Sequence, residues 1–131
     1  MPKLGVGVVG VGEMGRCHAY NLRKLVPEAS LIAIADLNGS RARQVADELE
    51  IEHSYSTIEA LLQCKDIHAV IVATPDKFHT EVIGAAARAG KHILCEKPLG
   101  LNIESVKAAL SEVEKAGVQM QVGFMRRYDR A

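Results

Sequence analysis

The 131-residue sequence predicts an α/β fold, a doubly wound parallel sheet of about six strands with helices on both faces. Three observations lead there. Short continuous runs rich in Val and Ile, the pattern of strands covered on both sides, occur at Leu4–Val9, Leu31–Ala35, Ala69–Ala73 and Ile93–Cys95. Segments between them carry apolar residues at helical offsets of three and four: Ala42, Val45, Ala46 and Leu49, then Phe78, Val82, Ala85, Ala86 and Ala89. The first strand also runs straight into the glycine-rich turn "GVGEMG".

Taken in order, the first helix is expected to hold Gly15 in its first turn and to turn Ala19, Leu22, Leu25 and Val26 inward. "Glu52–Tyr55" is a weaker strand after the second helix. Ser56 followed by Glu59 has capping-box spacing and should open the helix "TIEALLQC". Gly90 stops the helix ending "GAAARA", Asn102 can cap a helix carrying Ile103, Val106, Leu110 and Val113, and Gly117 ends it. "VQMQVG" then alternates apolar and polar residues, as a half-covered edge strand does. There is no solenoid-period repeat, low-complexity tract or Pro/Ser-rich linker, so residues 1–131 read as one domain.

Composition narrows the function. Sixteen Lys and Arg balance sixteen Asp and Glu, so no global field favours nucleic acid or an anionic membrane, and any anion site must be local. No apolar run approaches the roughly 18 residues of a membrane span. "MPKLGVGVVGVG" is punctuated by glycine, soon meets Glu13 and lacks a cleavage site, so no signal peptide is expected. Cys17, Cys64 and Cys95 are odd in number, widely spaced and without a C-x-x-C pair, which fits reduced thiols in the cytoplasm.

Gly10, Gly12 and Gly15 have the spacing G-x-G-x-x-G in its required strand–turn–helix setting. The first glycine permits a sharp turn, the second lets backbone approach a pyrophosphate, and the third lets the helix pack close to the strand. The helix N-terminus then stabilises the anion without needing a lysine. Asp36 follows Gly15 by 21 residues at the end of "LIAIAD", where a carboxylate accepts both ribose hydroxyls and repels a 2′-phosphate. NAD is therefore expected over NADP, with Arg41 and Arg43 leaving some room for NADP. The competing readings are a purely structural glycine turn and an aspartate that only opens "DLNGS"; motif context and spacing together favour the dinucleotide.

Ligands of such sheets bind outside the carboxyl ends of the strands, and the segments there read "ATPDKFH", "CEKPLG" and "GFMRRYD". Thr74 or Asp76 could be only a helix cap and Pro75 only a first-turn proline. The coincidence of polar groups at one rim favours a site. Other candidates are weaker. His92 and Cys95 stand at an odd offset on one strand, hence on opposite faces, and Cys64 and His68 straddle a helix end, so no metal site is expected. Cys17 reads as a small buried filler, and His18 and His53 have no evident partner. "RRYDR" is too short a basic cluster to indicate nucleic acid, and neither a Ser–His–Asp pattern nor H-E-x-x-H occurs.

"VGVVGVGEMG", "ATPDKFHTE", "CEKPLG" and "VGFMRRYD" together resemble the amino-terminal, Rossmann-type domain of the Gfo/Idh/MocA oxidoreductase family, in particular its inositol dehydrogenases. The resemblance covers the whole chain, and "EKP" is its most specific element. It implies that Lys97 is the catalytic lysine, that Glu96 contacts the cofactor, and that Pro98 is cis. It also implies that Thr74, Pro75 and His79 lie beside the cofactor, with Glu13 and Met14 at the pyrophosphate turn and Leu37 next to Asp36. Arg127 would point toward the nicotinamide and substrate. The implied reaction is hydride transfer from a secondary alcohol of an inositol-like polyol or sugar to nicotinamide, with a base removing the hydroxyl proton. The family's partner histidine and aspartate belong to a carboxy-terminal substrate domain that these residues do not include, so the chain is expected to be an inactive cofactor half-site. Self-association is expected only with that further domain. A non-catalytic nucleotide sensor, or a site for another adenosine ligand such as a methyl donor, remains as an alternative.

Overall fold

The computed structural model describes residues 3–123. Its elements are β1 (Leu4–Val9), α1 (Glu13–Lys24), β2 (Ala29–Ala35), α2 (Gly39–Glu48), β3 (His53–Tyr55), α3 (Ile58–Leu62), β4 (Ala69–Val72), α4 (His79–Arg88) behind a 3-10 turn (Asp76–Phe78), β5 (His92–Glu96), α5 (Ile103–Ala116) and β6 (Met120–Gly123). The six strands form one sheet in the order β3-β2-β1-β4-β5-β6, with every pairing parallel. The chain winds outward from β1 to β3, then crosses back to β4 on the other side of β1. This reversal leaves a crevice between the carboxyl ends of β1 and β4, where open α/β sheets bind ligands.

Alternation along the strands feeds two cores. Val6, Val8, Ile34 and Ile71 meet Ala19 of α1 and Ala42, Val45 and Ala46 of α2 on one face. Val9, Ala33, Ala35, Val70, Val72 and Cys95 meet α3, α4 and α5 on the other. Val82 and Ile83 of α4 are fully buried, and each contributes about 1.5–3 kcal/mol of burial. That anchorage fixes His79, the first residue of α4.

Several expectations need correction. α1 stops at Lys24, so Leu25 (65% exposed) and Val26 do not reach the core. Pro27 disfavours helical geometry at the residue before it. Thr57, not Ser56, caps α3, its hydroxyl accepting from the Ala60 amide at 3.3 Å. No capping box forms, and Glu59 instead lies in the first turn near the positive end of the helix dipole. Ala89 is the exposed C-cap residue after α4. In α5 the buried residue is Ala109, whereas Ile103 (73% exposed) and Leu110 are exposed. α5 packs beside α4, with Val106, Ala109 and Leu110 gathered near Thr80 and Ile83 around a small gap between the helices. Cys17 is exposed rather than buried. No helix among the described residues is long and apolar enough to cross a membrane.

Candidate functional site

β1 is tied to both neighbours where it ends: the Gly10 amide donates to the Ala35 carbonyl at 2.7 Å, and the Ala73 amide donates to that of Val9 at 2.8 Å. The turn that follows is shaped by missing side chains. Gly10 has φ +92°, and a Cβ there would stand 2.7 Å from the Ala73 carbonyl group. A Cβ on Gly15 would lie 1.7 Å from the Gly10 oxygen. Around Gly12, by contrast, nothing lies within 4 Å of the corresponding position, so the turn is closed inward and open outward. Gly12 caps α1 without any side-chain hydrogen bond, which leaves first-turn N–H groups available to an anion. Glu13 is exposed and Met14 half-buried in that turn.

Asp36 stands at the end of β2 with its carboxylate beside this turn. The Val11 amide donates to its Oδ2 at 2.9 Å and the Asn38 amide to its Oδ1 at 2.8 Å. Arg41 of α2 places one guanidinium nitrogen 3.0 Å from each oxygen. Burial by itself would raise the Asp36 pKa, but the Val11 amide, the Arg41 guanidinium and the Asn38 amide together hold it below the ordinary carboxylate value. Beside it opens a cavity of about 400 Å³ lined by Leu37, Ile58, Thr74, Pro75, Phe78 and Val82, among others. The Thr74 hydroxyl is buried and has no hydrogen-bond partner among the described residues.

The segments after β4 and β5 are joined by side chains. His79, 1% exposed, puts Nδ1 2.6 Å from the Pro98 carbonyl oxygen and Nε2 2.7 Å from that of Thr74. It therefore serves as a clasp between the two loops. The Lys97–Pro98 bond is cis, and Lys97 is exposed at the rim. Glu96, mostly buried, makes a close contact with His18 Nε2 from α1. His18 thus has the partner that sequence reading did not find, because 78 residues separate the pair and nothing at either position signals the other. Behind them Cys95 is kept as a thiol, burial and then the carboxylates of Glu96 and Asp76 pushing its pKa up to about 12.

The predicted site residues Gly10, Gly12, Glu13, Met14, Gly15, Asp36, Leu37, Thr74, Pro75, His79, Glu96 and Lys97 all lie along the carboxyl rim of the sheet. Arg127 lies outside the described residues. An inward-closed glycine turn, an uncapped helix start and a ribose-type carboxylate fit a dinucleotide, and they define the chain as a Rossmann-type nucleotide-binding domain. The family model described as "Oxidoreductase family, NAD-binding Rossmann fold" matches residues 4–124. The chain belongs to this Gfo/Idh/MocA family and is its NAD-binding domain.

It is 39% identical over 125 residues to myo-inositol 2-dehydrogenase of Thermotoga maritima, covering 95% of this chain and 37% of that protein. Against scyllo-inositol 2-dehydrogenase (NAD(+)) of Bacillus subtilis the identity is 46% over 124 residues, 95% of this chain and 36% of the relative. The crystal structure of scyllo-inositol dehydrogenase from Lactobacillus casei with bound NAD(H) and scyllo-inositol superposes with a TM-score of 0.90 at 33% identity, over 97% of this chain and 38% of that one. The chain thus spans a little over a third of the length of these relatives.

Proposed function

We propose that residues 1–131 are the cofactor-binding domain of an NAD-dependent dehydrogenase that oxidises a secondary alcohol of an inositol-like polyol or a sugar. The observation that carries this reading is the convergence of two segments at one rim: the glycine turn after β1 and Glu96–Lys97–Pro98 after β5, linked by the His18–Glu96 contact. The similarity to inositol dehydrogenases supports the choice of substrate class.

In this reading the Gly10–Gly15 turn and the start of α1, with Glu13 and Met14, hold the pyrophosphate, and Asp36 and Leu37 hold the adenine ribose. The apolar cavity beside Thr74 and Pro75 takes the adenine end. When bound, NAD supplies the ring carbon that accepts hydride. Lys97 is the catalytic residue, moving the proton of the substrate hydroxyl, while His79 ties the loop that carries it to the loop after β4 and Glu96 lies next to the cofactor. Arg127 is assigned to the nicotinamide and substrate end. A further domain contributes the histidine and aspartate that complete proton transfer, and it also carries the self-association surface. The three free thiols support a reducing, cytoplasmic setting.

Titration of the 131-residue chain with NADH, followed by nucleotide fluorescence and by calorimetry, tests this. Saturable binding with negligible oxidation of inositol is expected. Absence of binding by folded chain would remove the cofactor role, and robust turnover by these residues alone would remove the second-domain assignment.

A further inference from the structure

His79 has two partners, and neither can donate to it. Its Nδ1 stands 2.6 Å from the Pro98 carbonyl oxygen and its Nε2 2.7 Å from that of Thr74, and a carbonyl oxygen has no proton to give. Neutral imidazole carries one N–H and one lone pair, so in that form one of the two contacts would set lone pair against lone pair. Exchanging the tautomers only moves the conflict to the other carbonyl. The imidazolium alone donates at both ends.

We propose that His79 is a positioning residue for Lys97 that works as a doubly protonated ring: its second N–H ties the segment carrying Lys97 to the loop after β4. The proposal rests on the reading of Lys97 as the residue that moves the substrate proton, and deepens it. A ring that is 1% exposed gives up hydration when charged, and as the first residue of α4 it also meets the positive end of a helix dipole. Two charge-assisted bonds and nearby carboxylates oppose that cost. Asp76, in the turn before α4, and Glu96, at the end of β5, both act on the Cys95 thiol and so bring negative charge between β5 and α4. Glu59 and Glu81 line the cavity that Thr74 also lines. The cations on these elements are Lys77, 5.1 Å over the Phe78 ring, Lys97, exposed at the rim, and, when protonated, His18 beyond Glu96. α5 meets this end of α4 through Ser105 and Val106, which gather with Thr80 around Gly100 and bear no charge. Loss of one proton breaks one bond. Thr74 lies on the same crossover as His79, and its loop is fixed by the Ala73 amide on Val9 and the Phe78 amide on Pro75. Pro98 reaches the ring from a separate crossover, so its carbonyl is the one that withdraws, and Lys97 moves with it.

The test is NMR of the isotope-labelled 131-residue chain across a pH titration, with NADH absent and present. It reads both His79 ring nitrogens, the amides of Lys97, Leu99 and Gly100, and Overhauser contacts between His79 and Pro98, which report docking of the segment. Wherever the segment is docked, both ring nitrogens should give protonated signals. Where the folded chain loses the second proton, those amides should move with the midpoint of the His79 ring and not that of His18, while the glycine turn holds still. His79→Gln has one amide donor group and an oxygen that cannot donate, at any pH. Its Lys97 segment should be undocked throughout, with amide exchange quickened about tenfold, as one lost hydrogen bond allows. The wild-type ring signals decide the matter even if this variant fails to fold. A singly protonated ring beside a docked segment overturns the proposal, and so does a His79→Gln segment that keeps the wild-type resonances. A doubly protonated ring in folded chain that does not bind NADH overturns the cofactor reading while the proton-dependent docking stands.

Discussion

The two halves of the carboxyl rim are built on different principles. The turn after β1 is shaped by backbone sterics: Gly10 occupies a left-handed conformation, Gly15 leaves room for the Gly10 carbonyl, and no side chain caps the helix. The segments after β4 and β5 are held by side chains instead, with His79 grasping two carbonyls and His18 reaching Glu96 from a different helix. The first half therefore fails by collision, because an added atom has nowhere to go. The second fails by leaving polar groups unpaired. Binding to the first half depends on empty space, and positioning in the second depends on occupied space.

Glycine substitutions test this contrast most severely. Gly15→Ala should lower stability by about 3 kcal/mol or more, the upper end of overpacking costs, since its Cβ would overlap the Gly10 oxygen. Gly12→Ala meets nothing within the protein, so stability should change by less than about 1 kcal/mol, the range of exposed substitutions. NADH affinity should nevertheless fall about tenfold or more, as the added methyl fills the pyrophosphate approach. Thermal unfolding paired with NADH titration separates the two outcomes, and equal melting temperatures for both variants would break the comparison.

His79→Ala probes the side-chain half. It strands the part-buried Thr74 and Pro98 carbonyls and should cost about 1–3 kcal/mol in denaturant unfolding. Amide resonances in the loops after β4 and β5 should shift while those of the glycine turn stay put. Equal perturbation of the turn would mean that the halves are not separately built.

The smallest effect concerns acid. Because Asp36 titrates below the ordinary carboxylate value when folded, its contribution is complete above the unfolded-chain value near 4 and is lost as pH falls through the lower folded value. The wild-type chain should lose stability below about pH 4 more steeply than Asp36→Asn. Superimposable acid profiles would show that Asp36 is not held as its contacts indicate.

Much of the architecture was readable because it is periodic. Strands buried on both faces must be continuous apolar runs, and helices between them must repeat at three and four, so alternation alone implied a doubly wound sheet. Where periodicity met a local competitor it misled: Pro27 ended α1 before Leu25 and Val26 could turn inward. Cys17 and His18 were misread for another reason. Exposure and partnership are properties of the assembled surface.

The glycine spacing, the carboxylate 21 residues on and the "EKP" segment were determined by sequence, because each is a local requirement of one turn or one strand end. Tertiary structure alone decided that His18 meets Glu96 across 78 residues and that His79 reaches across to the Pro98 carbonyl in the loop after β5. These contacts arise only after the sheet has ordered its strands and set α1 and α4 against it. No period or spacing along the chain encodes a distance between side chains from separate crossovers.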